Sequence, residues 1–96
     1  MRKKSKIAKI ADALRILGSE VRLQILANLD KDGCNVKEIQ ERLNLKQSTV
    51  SQNLKLLRMQ GIVKAVRKGN RRCYEVVNQK GIVQMVIKYL KRERGG

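Results

Sequence analysis

The fold class that this 96-residue sequence predicts is mainly α, with one small antiparallel β-hairpin. Three observations predict it. Apolar residues recur at helical spacing in five separate stretches, the period changes from 3.6 to 2 after Gly61, and Gly69-Asn70 interrupts the period-2 stretch where a tight turn belongs. No proline, internal repeat or linker divides the chain, so residues 1–96 are expected to form a single domain.

In the first helix Ile7, Ile10, Ala11, Leu14 and Leu17 share a face, and Gly18 ends it. Ser19 caps a second helix carrying Val21, Ile25, Leu26 and Leu29, which Asp30–Gly33 terminates, leaving Cys34 as a short extended link. Asn35-Val36-Lys37-Glu38 has capping-box spacing: the Asn35 side chain accepts an orphan amide while Glu38 reaches back. Val36, Ile39 and Leu43 make this third helix amphipathic, and Asn44 suits a left-handed turn before a fourth helix from about Gln47 to Gln60. Ile62, Lys64, Val66 and Lys68 then alternate with Val63, Ala65 and Arg67. Gly69-Asn70 supplies two positive φ values, and Arg71–Val77 returns as the second strand. A fifth helix, about Gln79 to Arg92, is apolar over a wide arc of Ile82, Val83, Met85, Val86, Tyr89 and Leu90. The order of elements is that of a winged helix-turn-helix: a basic arm at 1–6, the helix-turn-helix at 35–60, the wing at 61–77 and a last helix at 79–92.

Charge narrows the partner. Twenty-three Lys+Arg against eight Asp+Glu leave +15, which attracts polyanions: nucleic acid first, an anionic membrane surface second. Tyr74 and Tyr89 are the only aromatics, too few for the stacking platforms of single-strand binders. Duplex DNA fits better. On the fourth helix Val50, Leu54 and Leu57 share one face, and Ser48, Ser51, Gln52 and Lys55 the opposite one. Hydroxyls, amides and a lysine suit base edges and phosphates in a major groove; an ordinary solvated helix face has the same composition. Arg67, Lys68, Arg71 and Arg72 crowd the hairpin tip, as solvated edge charges or as a grip on sugar-phosphate backbone. The arm Met1–Lys6 reads as an arm along DNA, a membrane-surface tract or solvated charge.

A chain this small buries only roughly 60–65% of its unfolded surface, so a second subunit helps. Pairing the first and last helices across two copies, through Ile7, Ile10, Leu14, Ile82, Met85, Val86, Tyr89 and Leu90, covers both apolar faces. A monomeric core is the plainer alternative. Without a signal peptide or an apolar run of about 18 residues, the chain is expected in the cytoplasm, away from membranes, with Cys34 and Cys73 as free thiols.

Several segments resemble the ArsR/SmtB family of winged-helix repressors. Leu17-Gly18-Ser19-Glu20-Val21-Arg22-Leu23-Gln24-Ile25-Leu26 is similar to the family's second-helix signature, and Gln47-Ser48-Thr49-Val50-Ser51-Gln52-Asn53-Leu54 to its recognition helix. Gly61-Ile62-Val63 resembles the start of the wing, and Gly69 to Tyr74 its tip and return strand, so the resemblance spans about Ile7 to Leu90. It implies a homodimeric transcriptional repressor that an inducer releases from operator DNA. It assigns DNA contacts to Gln47, Ser48, Ser51, Gln52 and Asn53 on the recognition helix, where Thr49 and Lys55 complete the candidate interface. On the wing it assigns them to Arg67, Lys68, Asn70, Arg71 and Arg72.

The chain departs from the family's metal sites. One thiol, Cys34, stands where many members carry a Cys-x-Cys pair, the last helix has Glu93 as its sole acid, and the sequence contains no histidine. No metal or other cofactor is therefore expected. Any inducer is expected to act on Cys34 or Cys73, as thiolates favoured by a helix N-terminus and by Arg71 and Arg72; inert buried thiols are the alternative. The sequence has no His–Cys pair, phosphate loop or clustered carboxylates, so no enzymatic activity is expected. An architectural DNA-binding protein without an inducer, and a protein-interaction module using the last helix, are the competing readings.

Overall fold

In the computed structural model, which describes residues 4–29, 35–77 and 81–95 (side chains as far as 91), the order is α1 Lys6–Leu17, α2 Glu20–Asn28, α3 Val36–Leu43, α4 Gln47–Met59, β1 Val63–Lys68, β2 Arg71–Val76 and α5 Ile82–Gly95. The expected stop of α2 at Asp30–Gly33 and the Cys34 link lie outside the described residues.

Side-chain oxygens start three of these helices. Ala8 N–H donates to Ser5 Oγ at 3.1 Å, and Arg22 N–H to Ser19 Oγ at 3.3 Å. At α3 the capping box is complete: Glu38 N–H donates to Asn35 Oδ1 at 2.8 Å and Asn35 N–H to Glu38 Oε1 at 3.3 Å. Lys46 precedes α4 and offers no such oxygen.

The ends have their own causes. Gly18 closes α1 with its N–H on Leu14 O at 2.8 Å, but at φ −79° rather than in the left-handed region. What disfavours a side chain there is space, since a Cβ would stand 3.0 Å from the Leu14 carbonyl oxygen. Asn44 does take the left-handed conformation, at φ 53°, and turns the chain from α3 into α4. After α4, Gly61 at φ 74° gives its N–H to Arg58 O and Ile62 gives its own to Leu57 O, both at 2.9 Å. This pair of bonds is a Schellman motif, and its apolar contact is between the buried Leu57 and Ile62. Ile62 is therefore the last residue of a helix stop rather than the first of a strand.

The hairpin pairs Val63 with Val76 through to Lys68 with Arg71, leaving Gly69-Asn70 as the loop. Gly69 has φ 64°, whereas Asn70 does not have positive φ, so the turn follows the type II′ pattern and not the double-positive one expected. The second strand ends at Val76, and Val77 N–H bonds to Ile62 O at 2.9 Å. The last helix starts at Ile82 rather than Gln79, because Gly81 sits at φ 73° just before it, and it runs on past Arg92 to Gly95.

Buried residues from all five helices and β1 form one apolar cluster: Leu17, Ile25, Leu26, Leu29, Ile39, Val50, Leu54, Leu57, Ile62, Val63, Val83 and Ile87. No polar or charged residue is buried among the described ones. At its centre α2 touches each of the other four helices. On α5, Val83 and Ile87 face this core and Ile82, Val86 and Leu90 pack at its margin, whereas Met85 and Tyr89 point away. Ile87, absent from the expected arc, is one of the two residues that hold the helix down.

Candidate nucleic-acid interface

Burying Val50, Leu54 and Leu57 fixes the rotation of α4, and the opposite face is thereby turned outward. Gln47, Ser48, Ser51, Gln52 and Lys55 are exposed; Thr49 and Asn53 are half-buried. Asn53 is turned inward. Its Oδ1 accepts from Arg22 Nε at 3.1 Å, and its Nδ2 donates to Thr49 O at 2.8 Å. Both ends of the amide are engaged inside the protein, so Asn53 holds the helix instead of standing with the outward set.

Arg22 is the residue that sequence reasoning left without a role. Besides Asn53 it reaches Ile16 O through Nη1 at 3.0 Å, and so ties the end of α1, the body of α2 and the middle of α4 together. A lone cation between Val21 and Leu23 on a core helix was the available signal. In the groove between α3 and α4, Lys37, Gln40 and Glu41 stand beside Gln47 and extend the polar surface onto α3.

The wing has two unlike sides. Residues directly opposite on paired strands project to the same side. One side carries Lys64, Val66 and Lys68 opposite Glu75, Cys73 and Arg71; the other carries Val63, Ala65 and Arg67 opposite Val76, Tyr74 and Arg72. The last two pairs at the tip are thus cation against cation on both sides. On the first side acids answer: Lys68 Nζ lies 3.2 Å from Glu75 Oε2, and Arg71 Nη2 donates to Glu38 Oε1 on α3. On the second, Arg67 has no acidic partner among the described residues, and Arg72 lies over the Tyr74 ring, 5.8 Å from its centroid. Arg67, Asn70 and Arg72 meet around one shallow hollow.

Away from this surface, Ile7, Leu14, Met85 and Tyr89 are 80, 51, 67 and 63% exposed, an apolar strip on the neighbouring α1 and α5, with Ile10 less exposed between them. Ile82, Val86 and Leu90 lie inward of the strip. Lys4 and Arg15 flank Asp12 on α1 and hold its carboxyl below the usual range, the Lys4 hydrogen bond first. Cys73 is 4% exposed, which favours the inert buried thiol of the two readings for it, since attack needs access as well as thiolate. Cys34 lies outside the described residues. Among the described residues no three His, Cys, Asp or Glu side chains gather to hold a metal, and no helix is long and apolar enough to cross a membrane.

Comparison with known proteins agrees with this geometry. Residues 17–66 match the helix-turn-helix domain family. The chain is 36% identical over 85 residues to the uncharacterized HTH-type transcriptional regulator MJ1325 of Methanocaldococcus jannaschii, covering 86% of this chain and 92% of the relative. It superposes on the transcriptional repressor PagR of Bacillus anthracis with a TM-score of 0.73 and 35% identity, over 88% of this chain and 94% of that one. A third neighbour is the homodimeric winged helix-turn-helix DNA-binding domain Mb0332 of Mycobacterium bovis, a possible ArsR-family transcriptional regulator. There the TM-score is 0.72 and the identity 25%, over 99% of this chain and 88% of that one.

Proposed function

Because the chain belongs to the ArsR/SmtB-like winged helix-turn-helix family of DNA-binding transcriptional regulators, which are not enzymes, we propose that it acts as a homodimeric repressor on a two-fold operator. In this reading Gln47, Ser48, Ser51, Gln52 and Lys55 meet the major groove, Thr49 lies at its margin, and the wing grips the flanking backbone. One observation carries it: the outward face of α4 is polar from Gln47 to Lys55, with the exposed Leu56 and Met59 confined to its last turn, while Val50, Leu54 and Leu57 behind it are fully buried. Amides there match adenine edges, hydroxyls accept or donate to any base, and Lys55 answers phosphate.

The dimer is proposed through α1 and α5. Ile7, Ile10, Leu14, Met85 and Tyr89 offer a strip that the chain leaves uncovered, the pattern of a surface shared with a second copy. Mb0332 is a homodimer. A two-fold dimer requires an imperfect palindrome whose half-site centres lie about one helical turn, or a multiple, apart.

Selection of binding sites from random duplexes, followed by footprinting, tests the proposal. A discrete symmetric footprint is expected, lost together with dimerisation when Met85 and Tyr89 are both changed to Glu and the protein is followed by sedimentation. Uniform coating of every duplex would instead mean an architectural DNA-binding protein, and tight binding by a wild-type monomer would remove the dimer.

A further inference from the structure

Four cations crowd the wing tip, and among the described residues acids partner only one side of it. Arg71 and Lys68 are held by Glu38 and Glu75, while Arg67 and Arg72 face each other across the strands with no acid between them among the described residues. Like charges set directly opposite destabilise a hairpin unless an anion lies between them. The Glu38 carboxylate has a second duty, because the same Oε1 that takes Arg71 also takes the Asn35 N–H of the α3 capping box. One oxygen thus joins the first turn of α3 to the start of β2, across 33 residues of chain.

From this we infer that Glu38 is a positioning residue for the wing: it holds Arg71 as an inward anchor, so that the Arg67–Arg72 side is the one presented to phosphate. The inference rests on the DNA-binding reading above and divides its wing residues into two roles. Arg67 and Arg72 contact backbone. Arg71 sets where they stand relative to α4. An anchored wing meets a site that α4 has also recognised, whereas on unselected DNA the wing binds wherever charge allows. The anchor therefore acts on discrimination and not on bulk affinity. Because the Glu38–Arg71 pair is about half exposed, its effect is modest, about two- to fivefold in affinity.

Glu38→Gln is the informative change, since glutamine at this position keeps the capping box and removes the charge. Wild type, Glu38→Gln, Arg71→Gln, the double variant and Arg67→Ala are titrated against a selected duplex and a random one across a range of salt. Melting curves accompany each to confirm that the fold is kept. In Glu38→Gln, affinity for the selected duplex should fall about two- to fivefold while random-duplex affinity holds or rises. Arg71→Gln should do the same, and the double variant should be no worse than either single one. Arg67→Ala should lower the salt slope by about 0.9 for each phosphate left unneutralised, roughly 2 per dimer, with the slopes of Glu38→Gln and Arg71→Gln unchanged.

Additive losses in the double variant would overturn the inference, as would an Arg71→Gln slope reduced as far as that of Arg67→Ala. Higher affinity of Glu38→Gln for both duplexes, with a steeper slope, would make Glu38 a competitor of DNA and overturn it equally. A wild type with no salt-dependent duplex binding would instead sink the DNA-binding reading itself.

Discussion

Replacing Arg22 with alanine tests how α4 is held. The guanidinium makes two hydrogen bonds, 3.1 Å to Asn53 Oδ1 and 3.0 Å to Ile16 O, both in a half-buried setting. Bonds to a charged group are worth about 1.5–3 kcal/mol each, and water can replace part of each here, so about 2–3 kcal/mol is expected for the pair. For a domain of this size that lowers Tm by roughly 10–20 °C. Arg22→Lys should recover about half, because one ammonium cannot span two acceptors that the planar fork reaches together. Urea titration at a fixed protein concentration gives the answer as a shift in midpoint with unchanged slope; concentration must be held because association adds to stability. A loss within about 0.5 kcal/mol of zero, the scale of ordinary surface changes, would show that apolar packing alone holds α4 to α2.

Other outcomes follow from the same geometry. Gln47→Ala or Gln52→Ala should flatten preference between selected and random duplexes by about 1–3 kcal/mol, seen in competition binding; equal losses on both would make these residues backbone contacts. Alanine at Arg67, Lys68, Arg71 and Arg72 together should weaken binding to every duplex. The wild-type protein, if the proposed dimer neutralises roughly 6–10 phosphates, should lose about 10³–10⁵ in affinity between 50 and 200 mM salt. Cys73, being buried, should react with a thiol probe only as fast as the fold opens, so labelling in mild urea should track unfolding, and fast labelling of the native protein would refute its burial.

What could be read from the chain alone was what depends on near neighbours. Ser19 and the Asn35–Glu38 box cap their helices as their spacing announces, Asn44 turns left-handed, and the apolar triplet Val50, Leu54, Leu57 predicts which side of α4 faces out. Pairings between distant residues left no periodic trace. Nothing local says that Asn53 is claimed by Arg22, 31 residues away, or that the capping glutamate also receives Arg71. The Gly61 region misled for a different reason: alternation in the letters began one residue before the true strand start, because Ile62 is apolar on account of a helix stop. Asn70 shows the limit of turn statistics, since one glycine at positive φ was enough to close the hairpin.

Of the helices whose first-turn caps are described, α1, α2 and α3 begin on a side-chain oxygen and α4 does not. The difference is worth about 1 kcal/mol and is confined to one turn. The amides of Gln47, Ser48 and Thr49 should therefore exchange with deuterium sooner than their counterparts at the other starts, while Leu54 and Leu57 keep the rest of the helix slow. Softness is thus local to the end of the helix proposed to meet the duplex. There, an incoming acceptor can quench motion that the protein leaves unquenched, and the slowing of three amides becomes a direct record of which sequences have been engaged.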